Sequence, residues 1–226
     1  MPDITYPLNG HEAPGYLAVP ESGSGPAVVV LQEWWGLEDH IESVCDRLGG
    51  AGFVALAPDL YRGETTDQPD EAEQKMMALS MDQAERDMSA AVDYLAAHEA
   101  STGGGVGTIG FCLGGGLSVW AASANDKVDA VVTYYYVMPH GKPDFTEIEA
   151  PVLGHFGTED EFVLVGHAKN LEREIASASG QDARFHFYEG AGHAFFNDLD
   201  RLGTYHKEHA EESWERTIEF LRSKLT

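Results

Sequence analysis

The sequence predicts an α/β fold. One domain over residues 1–226 is built on a mainly parallel, doubly wound sheet with helices on both faces. Three observations carry this expectation. Short runs rich in apolar and β-branched residues alternate with longer stretches of helical periodicity along the whole chain. Some of the short runs, such as Ala27-Val-Val-Val-Leu31, are apolar throughout, as strands buried on both faces should be. Residues able to do chemistry fall in turns that follow strands, the edge where parallel sheets bind ligands.

In chain order, residues 3–8 and 14–19 read as two short strands joined at Asn9-Gly10, a hairpin dipeptide. Residues 21–26 (Glu-Ser-Gly-Ser-Gly-Pro) form a loop. The strand at 27–31 ends in Gln32-Glu33-Trp34-Trp35-Gly36. A helix follows over about 37–49, with Leu37, Ile41, Val44, Cys45 and Leu48 on one face and Gly49-Gly50 as its stop. Cys45 is therefore expected in the core. The next strand, 53–57, runs into Pro58-Asp59-Leu60-Tyr61-Arg62-Gly63. Residues 65–70 are a polar loop, and 71–100 are helical in two pieces, with Met88, Ala91, Val92 and Leu95 facing inward. Residues 101–105 are expected to be a loop. A strand rich in β-branched residues (Val106, Thr108, Ile109) then ends at Gly110, and a helix runs to about Asn125. Strands at 128–136, 152–156 and 183–188 follow, separated by a loop at 139–151 and by a helix faced by Leu164, Ala168, Leu171, Ile175 and Ala178. The last helix spans about 204–223, with Trp214, Ile218, Leu221 and Leu225 inward. No repeat or linker divides the chain.

A chain of 226 residues that is 43% hydrophobic can bury a sizeable core, which excludes a disordered protein. No apolar run approaches the roughly 20 residues needed to span a bilayer. The N-terminus lacks the basic and apolar pattern of a secretory signal, so a cytoplasmic location is expected. With two cysteines in such a chain, a structural disulfide is not expected. Asp and Glu number 38 against 14 Lys and Arg, a net charge of −24. That balance makes nucleic acid and anionic membranes poor partners. The acid is spread over predicted helix faces, which suits a protein adapted to high salt, where screening relieves carboxylate repulsion. A monomer or small homo-oligomer is expected.

The organising stretch is Gly110-Phe-Cys112-Leu-Gly114, between a strand and an apolar helix. Glycine-flanked spacing of this kind makes a nucleophile elbow, with Cys where Ser usually stands. Glycines are needed because strand and helix crowd the turn. The turn lifts the reactive atom to a helix N-terminus, where free N–H groups favour a thiolate. Asp160 follows a later strand in Gly157-Thr-Glu-Asp160-Glu-Phe-Val163. His193 follows the last strand in Glu189-Gly-Ala-Gly192-His193-Ala-Phe-Phe-Asn197. The order nucleophile, acid, histidine is that of the α/β-hydrolase triad. It requires His193 to accept the thiol proton and Asp160 to hold the imidazole by its other nitrogen. His206-x-x-His209 could pair on a helix as metal ligands, but spacing places no third ligand with it. Gly103-Gly-Gly-Val-Gly has no helix directly after it and is no phosphate loop. No cofactor and no metal are expected.

The chain resembles the dienelactone hydrolase family, the Cys-type branch of the α/β-hydrolases. The matching pieces span nearly the whole chain: Gln32-Glu33 with Gly36, Ala57-Pro58-Asp59-Leu60-Tyr61, Gly110-Phe-Cys112-Leu-Gly-Gly115, Gly157-x-x-Asp160-x-x-Val163 and Gly190-Ala-Gly-His193-Ala-Phe. The resemblance implies the α/β-hydrolase fold and cleavage of a small carboxylic ester or lactone through an acyl-enzyme. It implies Cys112, Asp160 and His193 as the triad, and Glu33 in contact with the thiol, tuning its ionisation. It implies the backbone N–H groups of Trp34 and Leu113 as the oxyanion hole. A carboxylate beside the thiol opposes thiolate formation by like charge, so Cys112 is expected to rest as the thiol. Members acting on dienelactone are expected to hold its carboxylate with arginines, one of them four residues after the histidine, where this chain has Asn197. The expected substrate is therefore a neutral ester or lactone in an aromatic cleft, with Trp35, Arg62, Tyr135, Phe195 and Asn197 as candidate contacts. The competing expectation is a weakly catalytic binding or redox-sensing protein on the same scaffold, with Cys112 as its reactive thiol.

Overall fold

Eight strands form one sheet in the order β1-β2-β4-β3-β5-β6-β7-β8 in the computed structural model, which describes residues 3–8 and 10–226. The strands are β1 (Ile4–Leu8), β2 (His11–Ala18), β3 (Gly25–Leu31), β4 (Val54–Pro58), β5 (Ser101–Phe111), β6 (Val128–Tyr134), β7 (Val152–Gly157) and β8 (Ala183–Tyr188). β3 to β8 pair in parallel, and the β1–β2 hairpin joins antiparallel to β4. Gly10 of the predicted turn has φ +84°, as a tight hairpin requires. Asn9 lies outside the described residues.

Helices cover both faces, as the alternation predicts. The apolar stripes of α1 (Asp39–Gly50) and α6 (Lys207–Leu225) pack with Val28, Val30 and Ile109 on one side. Those of α3 (Met81–Ala97), α4 (Leu113–Ala124) and α5 (Val165–Ser179) pack with Val29, Leu31 and Val131 on the other. Successive side chains of β3 thus point to opposite cores, which is why its sequence shows no polar alternation. Each fully buried Val, Leu or Ile there contributes roughly 1.5–3 kcal/mol. Cys45 is fully buried in the α1 layer. The remaining helix, α2 (Pro69–Ala78), opens with Pro at its first position and buries only Ala72.

Some elements differ from expectation, among them β2, which begins at His11 where the sequence suggested residue 14. Residues 101–105 are strand, not loop: Gly25 and Pro26 pair with Ser101 and Thr102, and the register then jumps to Ala27–Val106. Gly103 (φ +97°) and Gly104 (φ +95°) form the bulge, conformations open to glycine, and glycine gives no strand signal in a sequence. β6 stops at Tyr134 because Tyr135, at φ +36°, turns the chain. α6 starts three residues after the predicted point, at Lys207, where the His206 ring caps it by accepting from the His209 N–H. Among the described residues no helix is long and apolar enough to cross a membrane.

Candidate active site

The carboxyl ends of the parallel strands carry a series of strained turns. After β3 stands Gly36 (φ +100°), after β4 Arg62 (φ +57°), after β5 Cys112 (φ +55°), after β6 Tyr135 (φ +36°) and after β8 Ala194 (φ +59°). Left-handed conformations cost a non-glycine residue about 1–3 kcal/mol each and survive only where the surroundings over-determine them. At Cys112 the surroundings are explicit. Its N–H donates to Tyr134 O at 3.1 Å, and its carbonyl accepts from the amides of Gly115, Gly116 and Val137. A Cβ on Gly110 would lie 1.8 Å from Gly114 O, and one on Gly114 would lie 2.2 Å from Leu31 O. The glycine spacing seen in the sequence is thus the spacing that lets β5 and α4 meet at this angle.

Cys112 is 7% exposed and stands at the N-terminus of α4. The last turn of the sheet brings His193 beside it. His193 Nδ1 lies 2.8 Å from Asp160 Oδ2, and the carboxylate's Oδ1 accepts from the Phe162 and Val163 amides at 2.8 Å each. Asp160 is thereby fixed and buried, and it holds one nitrogen of the ring. The other nitrogen, Nε2, is buried and has no hydrogen-bond partner among the described residues. Burial disfavours the imidazolium, but a thiolate formed at Cys112 and the Asp160 carboxylate outweigh it, so the ring's pKa rises above its usual value once it holds the Cys112 proton. A cavity of about 590 Å³ touches His193 and is bordered by Glu159, Glu161, Phe162, Gly203 and Tyr205; Cys112 does not line it. The amides of Leu113, first residue of α4, and of Trp34, in the turn after β3, have no acceptor among the described residues.

Glu33 is buried just past the end of β3, which lies beside β5. Its hydrogen bonds go elsewhere than the thiol. Oε1 accepts from the Tyr135 hydroxyl at 3.3 Å, and Oε2 accepts from Asn197 Nδ2 at 2.5 Å. Asn197, expected to face substrate, is 4% exposed, and its Oδ1 accepts from the Leu199 amide. Tyr135 and Phe195 have no exposed surface and pack against Tyr134. Trp35 is buried under Trp34 and the Arg201 guanidinium. Arg62 points away into a bidentate bond with Asp87 of α3, at 2.7 and 2.8 Å. Trp35, Tyr135, Phe195 and Asn197 are therefore buried behind the site, while Arg62 stays partly exposed with its guanidinium engaged by Asp87. Phe162, missed in the sequence, is 60% exposed, and its ring centroid lies 4.8 Å from that of His193. Its position two residues after Asp160 was the available signal.

Farther along the same edge, Glu38 is buried and bonded to Arg201 at 2.5 Å. Burial raises its pKa to about 7, with Arg201 pulling it down and Glu33 pushing it up. His206 and His209 stack on each other, ring centroids 4.0 Å apart, at the start of α6.

The model of the dienelactone hydrolase family matches residues 13–225. "Protein usf" of Aquifex pyrophilus is 35% identical over 230 residues, covering 99% of this chain and 98% of that one. A protein of Aquifex aeolicus named "Putative carboxymethylenebutenolidase" is 34% identical over 234 residues, covering 98% of each. The solved structure named m3DLH superposes with a TM-score of 0.87 at 28% identity, over 99% of this chain and 97% of that one. The fold is the α/β-hydrolase fold, and the chain belongs to the dienelactone hydrolase family.

Proposed function

We propose that this hydrolase cleaves a small, neutral carboxylic ester or lactone through Cys112, His193 and Asp160. The observation that carries the reading is the meeting of three turns: a cysteine lifted on a φ +55° elbow, a histidine whose Nε2 is unbonded, and an aspartate 2.8 Å from that histidine's Nδ1. His193 takes the Cys112 proton at Nε2 while the sulfur attacks the carbonyl carbon. Asp160 holds the ring with Nδ1 as the donor, so that Nε2 is the basic nitrogen. The Trp34 and Leu113 amides donate to the developing oxyanion. His193 then protonates the leaving oxygen, and water assisted by the same nitrogen releases the acyl group from sulfur.

Neutral substrates are favoured because the nearby cations are already engaged. Arg62 is bonded to Asp87, Arg201 to Glu38 and Lys75 to Glu64, while Glu159 and Glu161 border the cavity. A carboxylate-bearing lactone would meet negative potential without a cationic clamp.

The test is hydrolysis of p-nitrophenyl acetate and of a panel of esters and lactones with and without a free carboxylate. Wild type is expected to turn over the neutral members, Cys112→Ala to lose that turnover, and carboxylate-bearing members to be poorer. Absence of turnover across the panel, with ready peroxide oxidation of Cys112, would replace this reading with a redox-sensing one.

A further inference from the structure

Most buried tyrosines near the site use their hydroxyls. Tyr6 donates to Asp87 O, Tyr134 bonds Thr217, Tyr135 bonds Glu33, and Tyr188 bonds His155 and Arg216. The Tyr61 hydroxyl is equally shut from solvent and has no partner among the described residues. Leaving a buried polar group unsatisfied costs a fold about 1–3 kcal/mol. Such a group calls for a ligand that completes it.

Tyr61 stands in the turn after β4, the strand next to β3, on the side of the site away from His193. The turn is held rigidly. The buried carboxylate of Asp59 accepts from the amides of Tyr61 (3.1 Å) and Gly63 (2.5 Å). The Leu60 amide donates to Gln32 Oε1 at 3.1 Å, which ties this turn to the one carrying Glu33 and Trp34. The Arg62 guanidinium, clamped on Asp87, anchors the next residue to α3. Both turns lie at the carboxyl edge of the sheet that also carries Cys112 after β5. Burial pushes the Tyr61 pKa well above its usual value. It is therefore a hydrogen-bond donor throughout the working pH range.

We propose that Tyr61 is a further catalytic residue, its hydroxyl donating to the oxyanion formed when Cys112 adds to the substrate carbonyl. This rests on Cys112 as nucleophile. The C–S bond forms, the carbonyl π pair moves onto oxygen, and the thiol proton goes to His193 Nε2. Tyr61 keeps its own proton and supplies only the hydrogen bond, beside the amides of Trp34 and Leu113. A donor fixed in advance by its turn needs little reorganisation as charge develops on oxygen.

The experiment compares wild type, Cys112→Ala and Tyr61→Phe. Steady-state hydrolysis of p-nitrophenyl acetate is expected to show kcat falling about 100-fold in Tyr61→Phe, with KM changed by less than about threefold, as for loss of one oxyanion donor. Inhibition by a small trifluoromethyl ketone, whose adduct on Cys112 carries the oxyanion, is expected to weaken at least tenfold. The Tm is expected to stay level or rise, since Phe removes an unsatisfied hydroxyl. A kcat within threefold of wild type, a loss confined to KM, or a Tm fall of more than 5 °C would each overturn the proposal. The last would show a hydroxyl already bonded in the free protein. If wild type neither turns over ester nor binds the ketone, the nucleophile reading itself fails. If both occur and vanish in Cys112→Ala while Tyr61→Phe is unaffected, only the Tyr61 role fails.

Discussion

Replacing Asp160 by Asn probes the link between geometry and proton transfer most directly. The wild-type carboxylate accepts three hydrogen bonds at 2.8 Å: two backbone amides on Oδ1 and the His193 ring on Oδ2. An asparagine has one acceptor end and one donor end. If its oxygen keeps the two amides, its NH2 faces His193 Nδ1. The ring must then carry its proton on Nε2, the nitrogen that has to accept one from Cys112. If the amide is reversed, the NH2 faces two N–H donors in a fully buried pocket, at a cost of about 1–3 kcal/mol for each group left unmatched. The first arrangement is the cheaper, so the fold persists and the wrong tautomer is fixed. A comparable change in a serine protease lowers kcat by about 10,000-fold, which at about 1.4 kcal/mol per decade is roughly 5 kcal/mol of barrier. Hydrolysis of p-nitrophenyl acetate by Asp160→Asn is expected to fall by three to four decades, about as in that case, with unchanged circular dichroism. 15N spectra are expected to show the His193 proton moved from Nδ1 to Nε2. Activity within tenfold of wild type, or a proton still on Nδ1, would refute the reasoning.

Four other outcomes follow from the same geometry. Gly110→Ala forces a Cβ to 1.8 Å from Gly114 O; at about 3 kcal/mol or more the Tm should fall by roughly 6–12 °C, by differential scanning calorimetry, with loss of turnover. Glu33→Gln can still accept from Asn197 and can donate to the Tyr135 oxygen, while removing a negative charge near Cys112. Iodoacetamide should therefore alkylate Cys112 faster at pH 7 than in wild type, and a slower or equal rate would count against the like-charge argument. Glu38 has a folded pKa of about 7, above its unfolded value, so its protonation stabilises the fold at low pH and that gain is lost as pH rises through 7. Wild type should accordingly gain Tm over Glu38→Gln between pH 8 and pH 5, and a constant gap would exclude Glu38 as the titrating group. With a net charge of −24, raising KCl to 1 M, where the Debye length is about 3 Å, should raise the Tm of wild type; a maximum in dilute buffer would contradict adaptation to salt.

The sequence was most legible where backbone sterics set the residue type. Gly110 and Gly114 had to be glycine because each faces backbone oxygen at the strand-to-helix crossing, so their spacing announces the elbow. Asp160 and His193 were legible because each closes a strand in a fixed order. Side-chain partners were not legible. Arg62 looked like a free cation until α3 brought Asp87 against it from 25 positions away. Asn197 looked like a substrate contact, but the β8 turn delivers it to Glu33 across 164 positions. Tyr135 and Phe195 have the composition of a cleft and the burial of a core, and only packing separates the two. The strand at 101–105 was hidden because its glycines carry no strand propensity, although backbone pairing holds them.

The elbow also dates the moment at which this protein becomes reactive. Its φ +55° conformation depends on contact with Leu31 from β3, on the Gly114 turn, and on the carbonyl of Tyr134 at the end of β6. A chain emerging from the ribosome with only the first 120 residues outside holds a cysteine that still lacks the Tyr134 carbonyl of β6. Asp160 comes later, and His193 arrives only when the last strand and its turn are made. During synthesis Cys112 is therefore an ordinary peptide thiol, and its partners reach it last. Local unfolding of β8 or its loop returns it to that state without disturbing the elbow. On the triad proposed above, the order of elements along the chain works as a timer that withholds hydrolytic chemistry until nearly the whole sequence is in place.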